Sequence, residues 1–259
     1  MTRRQRQRLI RGGLYAAFVL AVVVVAAVAD GERIAQFFFD VDIARQMFPD
    51  VLIVAARNTL LYTALAFSFG LAFGLVLALM RLSRVGPYRW FATVYIEVFR
   101  GLPALLTIFL VGFGIPLAFR VEWHVLTRIT LGLGLVAAAY MAETLRAGIE
   151  GVPTGQMEAA RSLGMSHGQA MASVVLPQGL RLVIPPMTNE LVLLIKDTSL
   201  LFVLGTTPIT KELTKFGRDL LSQTASPTPL IVVGLVYLLI TVPMTQLVAV
   251  LERRNRRSR

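Results

Sequence analysis

Charge is distributed along this chain in blocks. Six stretches, 12–29, 58–80, 101–119, 129–142, 182–205 and 220–251, are apolar and carry little or no charge, with polar segments between them. A helix of about 20 apolar residues crosses the ~30 Å hydrocarbon core of a bilayer. Lipid offers backbone groups no hydrogen-bond partner, so each stretch is predicted to be a membrane helix and not an open strand. The fourth stretch is short alone, and its flanks, including Leu126 and Leu145, extend it. The fifth is interrupted by Pro185, Pro186, Glu190, Lys196 and Asp197 and is predicted to be the least regular. The fold class that follows is an all-α polytopic membrane protein.

One polar stretch, 151–186, is too charged to span and too patterned to be a linker. Met157 to Leu163 predicts a short helix, and Gly164 suits its left-handed C-terminal cap. Ser166 with Gln169 three residues on predicts a capping box that opens a second helix, which Pro177 is expected to stop. Ala159 and Ala160 leave one surface smooth, whereas Met157, Leu163, Met165, Met171 and Val175 provide apolar knobs. Such a helix–turn–helix fits a partner that grips it and moves it. The segment 206–229, rich in Thr, Ser, Pro and charge, reads as a loop with a short helix over 209–221.

Composition narrows the chemistry. The 259 residues are 56% hydrophobic and 16% charged, with mean hydropathy +0.68, too few charges for a soluble domain. With no cysteine there is no disulfide, thiol catalysis or cysteine metal site. His124 and His167 are too far apart in sequence to suggest a metal pair. The net charge of +11 does not point to nucleic acid, because the arginines cluster as membrane topology requires. Residues 1–13 hold five Arg, 81–89 three, and 253–259 five, whereas 30–50 hold five acids against two Arg. Six alternating spans put all three basic clusters, both termini and the 151–181 loop in the cytoplasm. The first stretch, ending Ala27-Val28-Ala29 before Asp30, also fits a cleaved signal peptide; its length favours a retained anchor. None of the three lysines, Lys196, Lys211 and Lys215, follows a glycine, so no Gly-x4-Gly-Lys phosphate loop exists and no cofactor is expected on this chain.

Glu158-Ala159-Ala160, Gly164, then Val174-Val175-Leu176-Pro177 resembles the coupling loop of ATP-binding-cassette importer permeases, with Val174 in place of the family's isoleucine. Glu97-Val-Phe-Arg100-Gly-Leu-Pro103, Ala142-Glu143-Thr-Leu-Arg146-Ala-Gly148, Val152-Pro-x-Gly155-Gln156-x-Glu158, Leu176-Pro-Gln178 and Lys196-Asp-Thr-Ser-Leu200 resemble the polar amino acid branch of that family. The resemblance covers roughly residues 52–251. It implies a type I importer fold of five core helices, preceded here by an extra helix. Residues 1–50 would form an arm, first helix and external segment, 51–251 the transmembrane domain, and 252–259 a basic tail. It further implies an enzymatically inactive membrane subunit paired with a second permease chain, identical or not. Two cytoplasmic ATPase subunits carrying ATP and magnesium, and an external solute-binding protein delivering an amino acid, would complete the assembly. Glu158, Ala159, Ala160, Gly164, Met165, Leu176 and Pro177 would then couple to the ATPase.

Ionisable groups at membrane depth cost about 2.5–3.5 kcal/mol or more, so Glu97, Arg100, Glu143, Glu190, Lys196 and Asp197 each need a partner or a task. Glu97 and Arg100, three apart, fit a structural pair. For a zwitterionic substrate, Asp197 or Glu143 suits the ammonium, and Asn189, Thr198 and Ser199 suit the carboxylate, with Lys196 and Arg100 also on the path. The same charges equally fit an ion-pair network bracing the helices. Two other functions remain open on the residues alone: an ion-coupled secondary transporter, and a membrane scaffold that transports nothing.

Overall fold

The computed structural model describes residues 3–28, 30–205 and 207–257. Ala29 of the cleavage-like run and residues 258–259 of the basic tail lie outside them. Every regular element described is helical. The chain opens with α1 (Arg3–Val28), α2 (Gly31–Phe38) and α3 (Val41–Gln46). A π-helical turn, Val51–Ala56, runs into α4 (Arg57–Leu82), followed by α5 (Gly86–Gly101), α6 (Ala104–Phe109), a second π turn and α7 (Ile115–Phe119). Next come α8 (Val125–Glu150), α9 (Thr154–Ser162), α10 (His167–Ala170), a π turn Met171–Val175 and α11 (Leu176–Asp197). A 3-10 turn, Thr198–Leu204, leads to α12 (Leu213–Thr224) and α13 (Thr228–Arg257).

Among the described residues, four helices are long and apolar enough to cross a membrane: Gln5–Val28, Val51–Leu82, Val125–Glu150 and Thr228–Arg253. The pair Gly86–Gly101 and Ala104–Phe119, bent by 109°, is apolar enough to count as a fifth if its two arms form one span. The bend falls at Leu102-Pro103, both outside helical backbone geometry, where the missing proline amide ends the hydrogen-bond ladder. The third apolar stretch is therefore the second arm of an angled pair. The remaining expected crossing, the fifth stretch, lies in α11, which is 22 residues long and falls outside that apolar group.

The bundle is held together by close backbone approach. Apolar burial drives little helix association in lipid, so small residues and dense packing take over. Gly70 and Gly74 of α4 lie against Ala137, Ala138 and Met141 of α8, and a Cβ on Gly74 would stand 2.9 Å from the Ala138 carbonyl oxygen. Tyr62, Leu77, Ile96, Ile108, Leu133 and Met141 fill the core around this contact. A second cluster, Met47, Val51, Ala55, Leu213, Val232 and Val236, joins the start of α4, α12 and α13 at the opposite end from the 151–175 loop.

Three local expectations are corrected. Helix α11 is not interrupted at Pro185 and Pro186; both lie inside it, between buried Val183 and Met187, and the irregularity moves to Thr198–Leu204. Helices α8 and α13 pack along α11, which stays continuous through the two lost amide donors. Pro177 does not stop a helix; the π turn Met171–Val175 runs directly into α11, with Pro177 in the first turn of its α-helical part. The short helix expected over 209–221 begins at Leu213, four residues later than expected, because Glu212 caps it.

Candidate functional site

The 151–175 segment has the predicted helix–turn–helix form. Gly164 adopts φ +88°, and its amide donates to the Arg161 carbonyl (3.0 Å) while Met165 donates to Ala160 (3.3 Å). Only glycine takes that backbone without strain. The capping box is complete: the Gln169 amide donates to Ser166 Oγ (3.3 Å), and the Ser166 amide to Gln169 Oε1 (2.9 Å). Ala160 is buried against the second helix, whereas Glu158 and Ala159 are exposed, and Leu163 stands 82% exposed at the tip. Met165 and Leu176 are half-buried, and Pro177 is exposed.

The segment is joined to the bundle at its two roots. Gln178 Nε2 donates to Gln156 Oε1 (3.2 Å), tying α9 to the first turn of α11. Just above, Gly148 of α8 and Gly179 of α11 meet backbone to backbone; a Cβ on Gly179 would lie 3.3 Å from the Gly148 carbonyl oxygen, and one on Gly148 would collide with Val183.

Farther along the same two helices is a cavity of about 30 Å³, lined by Tyr140 and Met141 of α8, Glu190, Leu193 and Asp197 of α11, and Ala104 of α6. This space holds a water and not an amino acid. Arg100 lies with its guanidinium 5.5 Å from the centre of the Tyr140 ring. Its charge acts on Glu190, as do Asp197 on Glu190 and Lys196 on Asp197. The ion pair expected between Glu97 and Arg100 does not form among the described residues. Glu190 and Tyr140 thus belong with Asp197 and Arg100, although sequence reasoning did not place them in the path. Asn189 and Lys196 are exposed, and Ser199 is half-buried. A larger cleft of about 400 Å³, at the turn between α7 and α8, is lined by Arg120, Glu122 and Arg128 and shares no residue with the cavity.

Glu143 lies elsewhere. Its carboxylate pairs with Arg146 on its own helix and faces Arg81 of α4 at 3.5 Å, and Arg146 also pairs with Glu150. Both of its oxygens are engaged by arginines.

Residues 70–257 match the family described as binding-protein-dependent transport system inner membrane component. The chain belongs to that family. It is 36% identical over 210 residues to the probable glutamine ABC transporter permease protein GlnM of Bacillus subtilis, covering 78% of this chain and 91% of that one. It is 34% identical over 189 residues to the arginine transport system permease protein ArtQ of the same organism, covering 71% and 83%. The crystal structure of an amino acid ABC transporter with histidines superposes with TM-score 0.74 at 33% identity, over 82% of this chain and 96% of that one. The chain is therefore a multi-pass membrane permease subunit with an ABC importer fold. The ion-coupled and scaffold alternatives give way to that membership.

At the opposite end of the permease from the 151–175 segment is a polar cluster that the sequence did not reveal. Glu212 is fully buried and caps α12, accepting from the Thr214 and Lys215 amides at 2.6 Å each, with the Tyr237 hydroxyl donating at 3.4 Å. Tyr237 also meets Thr198, whose hydroxyl donates to the Ile195 carbonyl (2.6 Å). Thr198 is thereby committed to structure. Asn58 donates to the Ile209 and Lys211 carbonyls, Tyr62 to that of Thr210, and the Leu213 amide to Thr59. Burial pushes the Glu212 carboxyl up to about 7, against the opposing pull of the Lys215 and Thr214 amides. Burial also acts to raise Asp219, but Lys211 and Lys215 outweigh it and hold that carboxyl below its ordinary value.

Proposed function

We propose that this permease imports an amino acid by alternating access, driven by a separate ATPase that grips the 151–175 segment. One observation carries the reading. The segment's roots are the ends of α8 and α11, and these same two helices wall the cavity that holds Tyr140, Glu190 and Asp197. A push on α9 and α10 therefore reaches both walls. Glu190 and Asp197 suit a substrate ammonium, and Arg100 suits its carboxylate, so a zwitterion matches the charges around the closed cavity. Glu143, held by Arg81 and Arg146, braces α4 against α8. The relatives' names, glutamine and arginine permeases, support an amino acid cargo.

On this reading Glu158, Ala159, Ala160, Gly164, Met165, Leu176 and Pro177 form or shape the ATPase-facing surface. ATP and magnesium bind the partner. A second permease chain completes the path, and an external binding protein delivers cargo. The arginine clusters support a cytoplasmic location for both termini and the coupling segment. Residues 1–50 are an appended arm and 252–259 a basic tail flanking the 51–251 transport domain.

The test is Gly164→Val in the reconstituted complex. A β-branched side chain at φ +88° costs about 1–2 kcal/mol and distorts the turn. Uptake and substrate-stimulated ATP hydrolysis should both fall at least tenfold while membrane insertion is unchanged. Undiminished co-purification with the ATPase and undiminished hydrolysis would overturn the proposal.

A further inference from the structure

Residues 30–50 build a short structure that the transport reading leaves without a task. Asp30 caps α2 by accepting from the Arg33 amide (3.1 Å), and Asp40 caps α3 by accepting from the Asp42 and Ile43 amides (3.0 Å each). The capped α2 then presents Ile34, Phe37 and Phe38 at i, i+3 and i+4, one continuous stripe, with Glu32 and Gln36 on the opposite face. Phe37 is 58% exposed, and Ile34 and Phe38 are exposed beside it.

Where this stripe sits decides what covers it. The Phe37 carbonyl accepts from Ser226 Oγ (2.9 Å) and Thr228 Oγ1 (3.2 Å), and the Asp40 amide donates to Thr228 Oγ1 (3.1 Å). Thr228 is the first residue of α13, so α2 is fastened level with the point where that span enters the membrane. Two residues further on, Leu230 is already exposed on the side surface of the span. The other end of the segment follows Val28, the last residue of the first span. Both ends of the segment thus adjoin the ends of helices long and apolar enough to span a membrane, and exposed apolar side chains stand on α2 and on the first turn of α13.

We infer that α2 lies in the bilayer interface, with Ile34, Phe37 and Phe38 inserted between lipid headgroups and acyl chains and Glu32 and Gln36 facing water. Amphipathic helices of this kind bury their apolar face by ~5–10 Å. The attraction is apolar, since the segment's five acids outnumber its two arginines and do not favour an anionic surface. The anchor sets the height of Met47 and Val51, which continue directly into the buried cluster beneath α12. This inference does not depend on the cargo or on the ATPase.

The absence of cysteine makes the test direct. Single cysteines at Phe37, Phe38, Glu32 and Gln36 are introduced in the full-length chain, labelled with a nitroxide and reconstituted in lipid nanodiscs. Collision with oxygen, which partitions into lipid, is compared with collision with a water-soluble nickel chelate. Labels at 37 and 38 should meet oxygen at least threefold more than nickel, and labels at 32 and 36 the reverse. A label at Ile34, leaving both phenylalanines intact, should match 37 and 38 and guards against the substitutions dislodging the helix. Nickel dominating at all three stripe positions would place α2 in water. Protection from both reagents would place it under a second copy or another protein. Either result overturns the inference.

Discussion

Glu212 shows how one side chain joins distant parts of this permease. It bonds two amides of its own helix and a hydroxyl 25 residues away, in surroundings that also hold Tyr62, Lys211, Lys215 and Asp219. Its carboxyl is raised from the ordinary glutamate value toward about 7, so the folded state holds the proton more tightly than the unfolded one. The stabilisation is complete below the ordinary glutamate range and is lost as pH rises through about 7. Hydrogen exchange of the amides in 207–213 should therefore quicken as pH rises from 5 to 8, after correction for the intrinsic rate, and Glu212→Gln should flatten that extra dependence. A pH-independent opening in the wild type would refute the assignment. Glu212→Ala removes the cap and should cost about 1–2 kcal/mol. Little of this was legible in the sequence, because Tyr237 lies 25 positions downstream and the groups that hold residues 209–213, Asn58, Thr59 and Tyr62, lie some 150 positions upstream. The one local signal was an acid directly preceding the Leu213-Thr214-Lys215 helix start.

At the scale of elements, legibility followed how local the determinants are. Long apolar runs marked four spans, because length and hydropathy decide them without reference to neighbours. Gly164 and the Ser166–Gln169 pair marked the helix–turn–helix, because caps act over three or four residues. The prolines misled. Pro185 and Pro186 read as a break, yet α11 stays continuous with α8 and α13 packed along it, and Pro177 stands in the first turn of its α-helical part where a stop was expected. The approach of α8 to α11 at Gly148 and Gly179 was equally invisible, since nothing in either helix alone calls for a missing side chain. Gly148→Val should force these helices apart, destabilising the permease by about 1–3 kcal/mol, seen as a lower midpoint of thermal unfolding in detergent. An unchanged midpoint would mean that the helices separate without cost.

In the whole molecule, charges in the membrane divide by location. Glu143 sits in a chain of arginines joining α4 and α8, whereas Glu190 and Asp197 face the cavity. The sequence put Asp197, Arg100 and Glu143 in one group that fits either a substrate path or a bracing network, and the structure sets Glu143 apart with Arg81 and Arg146, because a carboxylate at the end of an apolar run looks the same in either surrounding. Glu143→Gln should lower stability by about 1–3 kcal/mol, the range for losing hydrogen bonds to a charged group. Glu190→Gln and Asp197→Asn should leave thermal stability nearly unchanged and raise the KM for uptake several-fold. Loss of stability in the cavity variants, with uptake by the survivors normal, would reverse the two roles.

The contact between Gly148 and Gly179 carries one more consequence. Where two main chains touch with only hydrogens between them, no side chain is present to bend and absorb a displacement, so the site behaves as a stiff fulcrum. If α8 and α11 transmit the ATPase's motion as proposed, the contact at 148 and 179 and the cavity at 140, 190 and 197 are separate positions on the same pair of rods, so that movement and cargo choice rest on different residues.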